Sequence, residues 1–145
     1  MTRALIIADP QRDFCEGGSL GMGGGAAAVS RIDRLLNSDH GYAQVIASCD
    51  HHIDPGGHFA AEPDFVDSWP PHCVVCSAGA EFHDNLTYRD LAAVFYKGHY
   101  APAYSAFEGL SDCRCRPGAS GRGIGRARRS RSCHPSLKAT AQLLT

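Results

Sequence analysis

The sequence predicts an α/β domain, an open parallel sheet with flanking helices. Three observations predict it: three short apolar runs read as strands, an amphipathic stripe separates the first two, and a charged residue closes each run. The first run, Arg3-Ala4-Leu5-Ile6-Ile7-Ala8-Asp9, is continuously apolar up to its acid and reads as a strand buried on both faces, stopped by Pro10. A Gly-rich connection follows from Glu16 to Gly25. Its glycines lack the order of a dinucleotide or Walker A loop, so no phosphate cradle is expected. Residues 26–37 set Val29, Ile32, Leu35 and Leu36 on one stripe with Arg31, Asp33 and Arg34 facing out, which predicts a helix. Ser38-Asp39-His40-Gly41 ends it. Residues 44–48 form a second buried-type strand that runs into Cys49-Asp50, and residues 91–96 form a third, closed by Lys97-Gly98.

Asp9, Asp50 and Lys97 each stand just past the carboxyl end of an apolar run, the edge at which open parallel sheets bind ligands. Any one of them alone reads as a surface charge. Three from three strands predict a common crevice. An acid beside a lysine there forms a coupled pair: Asp9 can accept a proton while Lys97 keeps it ionised or stabilises a developing oxyanion. A thiol activated by that acid would complete a Cys-Asp-Lys arrangement.

The stretch Cys49-Asp50-His51-His52-Ile53-Asp54-Pro55-Gly56-Gly57-His58 carries a second chemistry, with His72 downstream in Ser68-Trp69-Pro70-Pro71-His72. Pro55, Gly56 and Gly57 force a turn that lets the two ends face one another. Asp50 and His52 lie two apart and share a side of an extended segment. Asp50, His52, His58 and His72 therefore form a candidate ligand set for one divalent ion of the Fe, Mn or Zn kind, with positions left open for water or substrate. The competing reading is a His-rich solvated loop. The long connection that holds these residues also carries Phe59, Phe65 and Trp69, and loops of that length inside a domain are usually functional.

At 145 residues, with 43% apolar and 20% charged, the chain has the size and composition of one domain. Its net charge of −1 hides an asymmetry: residues 1–111 hold 6 Lys+Arg against 14 Asp+Glu, and residues 112–145 hold 8 against 1. Seven cysteines, no signal-type leader and no apolar run of membrane length lead to the expectation of a cytoplasmic protein with reduced thiols. Cys73-Val74-Val75-Cys76 has CxxC spacing without a second pair, so two ordinary thiols are expected there.

The motifs Asp9-Pro10-Gln11-Arg12-Asp13-Phe14-Cys15-Glu16-Gly17-Gly18-Ser19-Leu20, Asp50-His51-His52 with His58, and Ser68-Trp69-Pro70-Pro71-His72 resemble the nicotinamidases of the isochorismatase-like cysteine hydrolase superfamily. Val94-Phe95-Tyr96-Lys97-Gly98 and Tyr104-Ser105-Ala106-Phe107-Glu108-Gly109 continue the likeness, which covers about residues 1–111 in order. The resemblance implies an isochorismatase-like fold and hydrolysis of nicotinamide to nicotinate and ammonia in NAD salvage, with pyrazinamide as a second substrate. It maps the acid onto Asp9, the lysine onto Lys97 and the metal ligands onto Asp50, His52, His58 and His72. The family's ring-binding aromatics fall on Phe14, Trp69 and Tyr104. Two positions depart from the family pattern: Cys49 stands where a basic residue is usual, and His51 where an aromatic is usual. His51 is expected to point away from the ion and to lie exposed.

After Ser111 the resemblance stops. Residues 112–132 are Arg-, Gly- and Ser-rich with almost no apolar residues, so they supply no buried strand, and the fold is expected to be incomplete at the C-terminus. The abrupt charge reversal reads as a shifted reading frame, and residues 112–145 as a tail unrelated to the family. Cys133 is the one late cysteine that could imitate the nucleophile, as a weak candidate beside Ser136, and the alternative is an inactive, truncated metal-binding remnant with no nucleophile correctly placed. A nucleic-acid arm is not favoured, because no aromatics interleave the arginines. With later strands missing, an apolar sheet face is expected to stay uncovered and stability to be poor. Neither monomer nor homodimer is specified.

Overall fold

The computed structural model describes residues 2–111. Three strands, β1 (Ala4–Ala8), β2 (Gln44–Asp50) and β3 (Ala93–Lys97), form a parallel sheet in the order β1-β2-β3. Ile6 pairs with Ile46, which pairs with Ala93; Ala8 pairs with Ser48, which pairs with Phe95. All three strands therefore end on one edge, and the parallel order requires a crossover between β1 and β2. Helix α1 (Gly25–Leu36) supplies it.

Helix α1 forms because Val29, Ile32 and Leu36 recur at helical spacing, and Val29 and Leu36 bury against the sheet. Its start explains the Gly-rich connection. Gly24 takes a left-handed conformation at φ 87°, and the Glu16 carboxylate accepts the amide protons of Gly24 and Ala26. A carboxylate from the chain itself thus satisfies free amides at the helix N-terminus. These hydrogen bonds, that from Ala26 foremost, hold the Glu16 carboxyl below its usual range.

The core comprises Ile7, Cys15, Val29, Leu36, Val45, Ala47 and Leu86 on the α1 side of the sheet. The opposite face differs from the expectation for β1. Ile6 is 44% exposed and Ile46 and Phe95 are half-buried. The strand is buried on one face only among the described residues. Element limits otherwise shift by a residue or two: α1 runs one residue earlier than expected, and β2 continues through Cys49 and Asp50 because these pair with Tyr96 and Lys97.

Residues 51–92 contain no α-helix and no strand. Isolated bridges pin them, His52 to Val74, Phe59 to Trp69 and Phe82 to Gln11. Asp33 on α1 accepts hydrogen bonds from the backbone of Thr87 and Tyr88, and Arg12 pairs with Glu81 and Asp84. Cys73 is buried and Cys76 exposed, so the CxxC pair does not share an environment.

Candidate active site

The three strand ends meet as their charges predict. The Lys97 ammonium is 4% exposed, lies 3.1 Å from Asp9 Oδ2, bonds Asp50 Oδ1, and donates to the carbonyl of Ala103 at 3.1 Å. All three of its protons have acceptors. Burial lowers the pKa of this amine, but Asp50 and then Asp9 outweigh it and raise the pKa, so Lys97 stays charged at neutral pH. Asp9 sits at φ 48°, a left-handed turn directly after β1. There its amide donates to the Ser48 carbonyl at 3.0 Å, and Ser48 Oγ donates to Asp9 Oδ1 at 2.8 Å. A non-glycine residue held in this region is conformational strain sustained by its neighbours.

His52, His58 and His72 are buried, with ring nitrogens within 4.8 Å of one another. His52 Nδ1 faces the Gly98 carbonyl at 2.6 Å and His72 Nδ1 the Pro70 carbonyl at 2.8 Å, which turns both Nε2 atoms inward. His52 Nε2 and His58 Nδ1 are buried without a hydrogen-bond partner. Burial, the leading cause, lowers the pKa of His52 and His58 and favours the neutral imidazole a metal needs. Orphaned, inward-facing, neutral imidazoles fit a divalent cation. The Asp50 carboxylate stands between the two groups: one oxygen bonds Lys97, and the other lies 3.8 Å from His52 Nε2 and 3.9 Å from His72 Nε2.

Both groups open onto one pocket of about 230 Å³, walled also by Phe14, Trp69 and Tyr104. Trp69 is half-buried and its indole N–H donates to the Tyr104 hydroxyl at 3.4 Å, while Phe65 stacks edge-on against it. Tyr104 is 69% exposed and stands at the mouth. Among the described residues no cysteine lines this pocket. Cys49 and Cys73 are buried, and burial followed by neighbouring carboxylates drives their thiols far above the usual range, so neither is poised as a nucleophile. Cys133 lies outside the described residues.

His51 corrects the sequence reading. It points away from the histidine cluster, but it is buried, edge-on to Tyr96 at 5.1 Å and to His99 at 5.2 Å. An imidazole there fills the place of a packed aromatic ring, and burial pushes its pKa down to about 4. Sequence reasoning assigned no role to Gln11 and Asp13, both buried. Asp13 Oδ2 accepts the Cys73 amide at 2.7 Å, directly beside His72, and Gln11 bonds the backbone of Asp50. No one-dimensional pattern announced them: Asp9 turns left-handed and Arg12–Phe14 form a 3-10 turn, so strand alternation does not carry through this motif.

No family model matches the chain. It is 54% identical over 110 residues to the nicotinamidase/pyrazinamidase of Mycobacterium tuberculosis, covering 76% of this chain and 59% of that protein. It is 40% identical to the nicotinamidase of Escherichia coli, covering 72% and 56%. Among solved structures, PnC1 from L. infantum in complex with nicotinate matches with TM-score 0.62 and 37% identity, over 76% of this chain and 57% of that one. The pyrazinamidase of Pyrococcus horikoshii in complex with zinc matches with TM-score 0.59 and 27% identity, over 74% and 59%. The chain thus spans less than two thirds of the length of these relatives. The open parallel sheet is the fold of these nicotinamidase and pyrazinamidase structures, an isochorismatase-like hydrolase fold. Along the part of their length that it spans, the chain is similar in sequence to these nicotinamidases and pyrazinamidases.

Proposed function

We propose that the chain derives from, and carries the substrate pocket of, a metal-containing amidohydrolase that converts nicotinamide to nicotinate and ammonia, and pyrazinamide to pyrazinoic acid, a reaction suited to NAD salvage. The observation that carries this reading is the placement of Lys97 between Asp9 and Asp50 in the pocket that His58 and His72 also line. Relatives whose names include nicotinamidase and pyrazinamidase, one in complex with nicotinate and one with zinc, support it. Asp50, His52, His58 and His72 would hold one Fe, Mn or Zn ion. When bound, the ion supplies a coordination position for the pyridine nitrogen. Phe14, Trp69 and Tyr104 offer flat apolar surfaces for the ring, which directs the carboxamide toward Asp9 and Lys97.

In the proposed Cys-Asp-Lys mechanism, Asp9 accepts the thiol proton as sulfur attacks the amide carbonyl. Lys97, 3.1 Å from Asp9, stabilises the negative charge that develops. The C–N bond then breaks, and Asp9 returns the proton to the departing ammonia. Water cleaves the thioester, and Asp9 carries one of its protons back to sulfur as nicotinate forms. The thiol would come from Cys133, in the segment 112–145 that we read as a tail unlike the family.

A second reading, a metal-binding remnant without activity, is favoured by the absence of any cysteine around the pocket among the described residues. Among those residues no helix is long and apolar enough to cross a membrane. Ammonia release from nicotinamide by the purified chain, with Fe, Mn or Zn added, separates the two readings. The enzyme reading expects release that Asp9→Asn lowers by about 100-fold or more and that Cys133→Ala abolishes. Bound metal without release would establish the remnant.

A further inference from the structure

Gln11 is fully buried, and its carboxamide makes three hydrogen bonds. Nε2 donates to the carbonyls of Asp50 and Ala80, both at 2.8 Å, and Oε1 accepts the Asp50 amide at 2.8 Å. The network fixes the amide's orientation, since a flipped group would set N–H against N–H. The cause lies in the sheet. The Ser48 carbonyl faces β1, where it accepts the Asp9 amide, so the backbone of Asp50, two residues on, faces β1 as well. By then β1 has ended and turned away at Asp9-Pro10. The Gln11 side chain takes the place of the missing strand residue and meets both backbone groups of Asp50.

We propose that Gln11 is a positioning residue that sets the Asp50 carboxylate so that one oxygen engages Lys97 while the other faces His52 and His72. The inference rests on the metal reading above and adds a residue to it. Two of the three bonds go to Asp50 itself, and the third ties the amide to Ala80 in the long loop. Gln11 is fixed in turn by its own amide, which donates to the Asp9 carbonyl at 2.7 Å, and by a bridge to Phe82. One side chain therefore sets the distance between the acid–lysine pair and the histidines. Loss of such support around a ligand typically costs 10–100-fold in metal affinity.

The test is Co(II) titration of the full chain, followed by its visible absorption, for the parent, Gln11→Met, Gln11→Glu and Leu86→Ala. Methionine matches the length of glutamine without its hydrogen bonds, and glutamate keeps the acceptor for the Asp50 amide. Leu86→Ala lowers stability from a fully buried position in the core cluster, to which none of the four ligand residues belongs. The expected result is a Co(II) affinity lower by about 10–100-fold for Gln11→Met, with an altered visible band. Gln11→Glu should fall between Met and parent, and Leu86→Ala should keep the parent's affinity and band. Parent-like affinity in both Gln11 variants, or an equal loss in Leu86→Ala, would overturn the role of Gln11 alone. No Co(II) binding by the parent would instead sink the metal reading and this inference with it.

Discussion

Replacing Lys97 by methionine is expected to destabilise the domain by about 3–5 kcal/mol, because it removes the buried cation that Asp9 and Asp50 share. A complete domain has only about 5–15 kcal/mol of stability in total, and here one sheet face is open among the described residues. Lys97→Met should therefore lower the melting temperature sharply. The cost arises from two carboxylates stranded together more than from any single lost bond, so neutralising one of them should recover part of it. Circular dichroism melts of Lys97→Met and of Lys97→Met with Asp50→Asn check this. Equal melts for the two variants would show that repulsion between the carboxylates is not the source.

The second large effect is expected at Gly98, which follows Lys97 and turns at φ 74°. A Cβ there would lie 2.5 Å from His52 Cε1 and 2.8 Å from its Nδ1, contacts that nothing short of moving the imidazole can relieve. The left-handed conformation adds strain of its own, about 1–3 kcal/mol for a residue with a side chain. Gly98→Ala should thus displace His52 from the Gly98 carbonyl and lower metal affinity by about 10–100-fold, beyond what its lowered melting temperature explains. Gly57→Ala is the control, because its Cβ would meet nothing within 4 Å although it lies in the same His-rich stretch. Metal titration of both variants measures the difference, and indistinguishable affinities would refute the packing argument.

The parts of this molecule legible from its sequence are those with a one-dimensional signature. Asp9, Asp50 and Lys97 each follow an apolar run, and parallel strands align such positions by construction, so their meeting needs no knowledge of the loops. His52, His58 and His72 are legible because they share one connection, in which a Pro-Gly-Gly turn lets His58 fold back toward His52. Gln11, Asp13 and Gly98 are not legible in the same way. Their importance comes from where the backbone of a distant segment arrives, 39 residues on for Gln11 and 60 for Asp13. His51 misled for a related reason: alternation correctly turns it away from the histidine cluster, but it cannot say that Tyr96 and His99 wait on the other side. For β1, a continuous apolar run says what the strand can tolerate on each face, and coverage depends on elements elsewhere in the chain.

The measurement that tests the central claim most directly is nicotinate binding to the metal-loaded chain, followed by calorimetry, since product binding needs the pocket and not the nucleophile. The pocket described here is expected to bind nicotinate when a divalent ion is present, and to lose that binding on metal removal and in His58→Ala. Equal binding with and without metal, or no binding by a chain that demonstrably holds the ion, would contradict the assignment of the Asp9, Lys97 and histidine groups to one nicotinamide site.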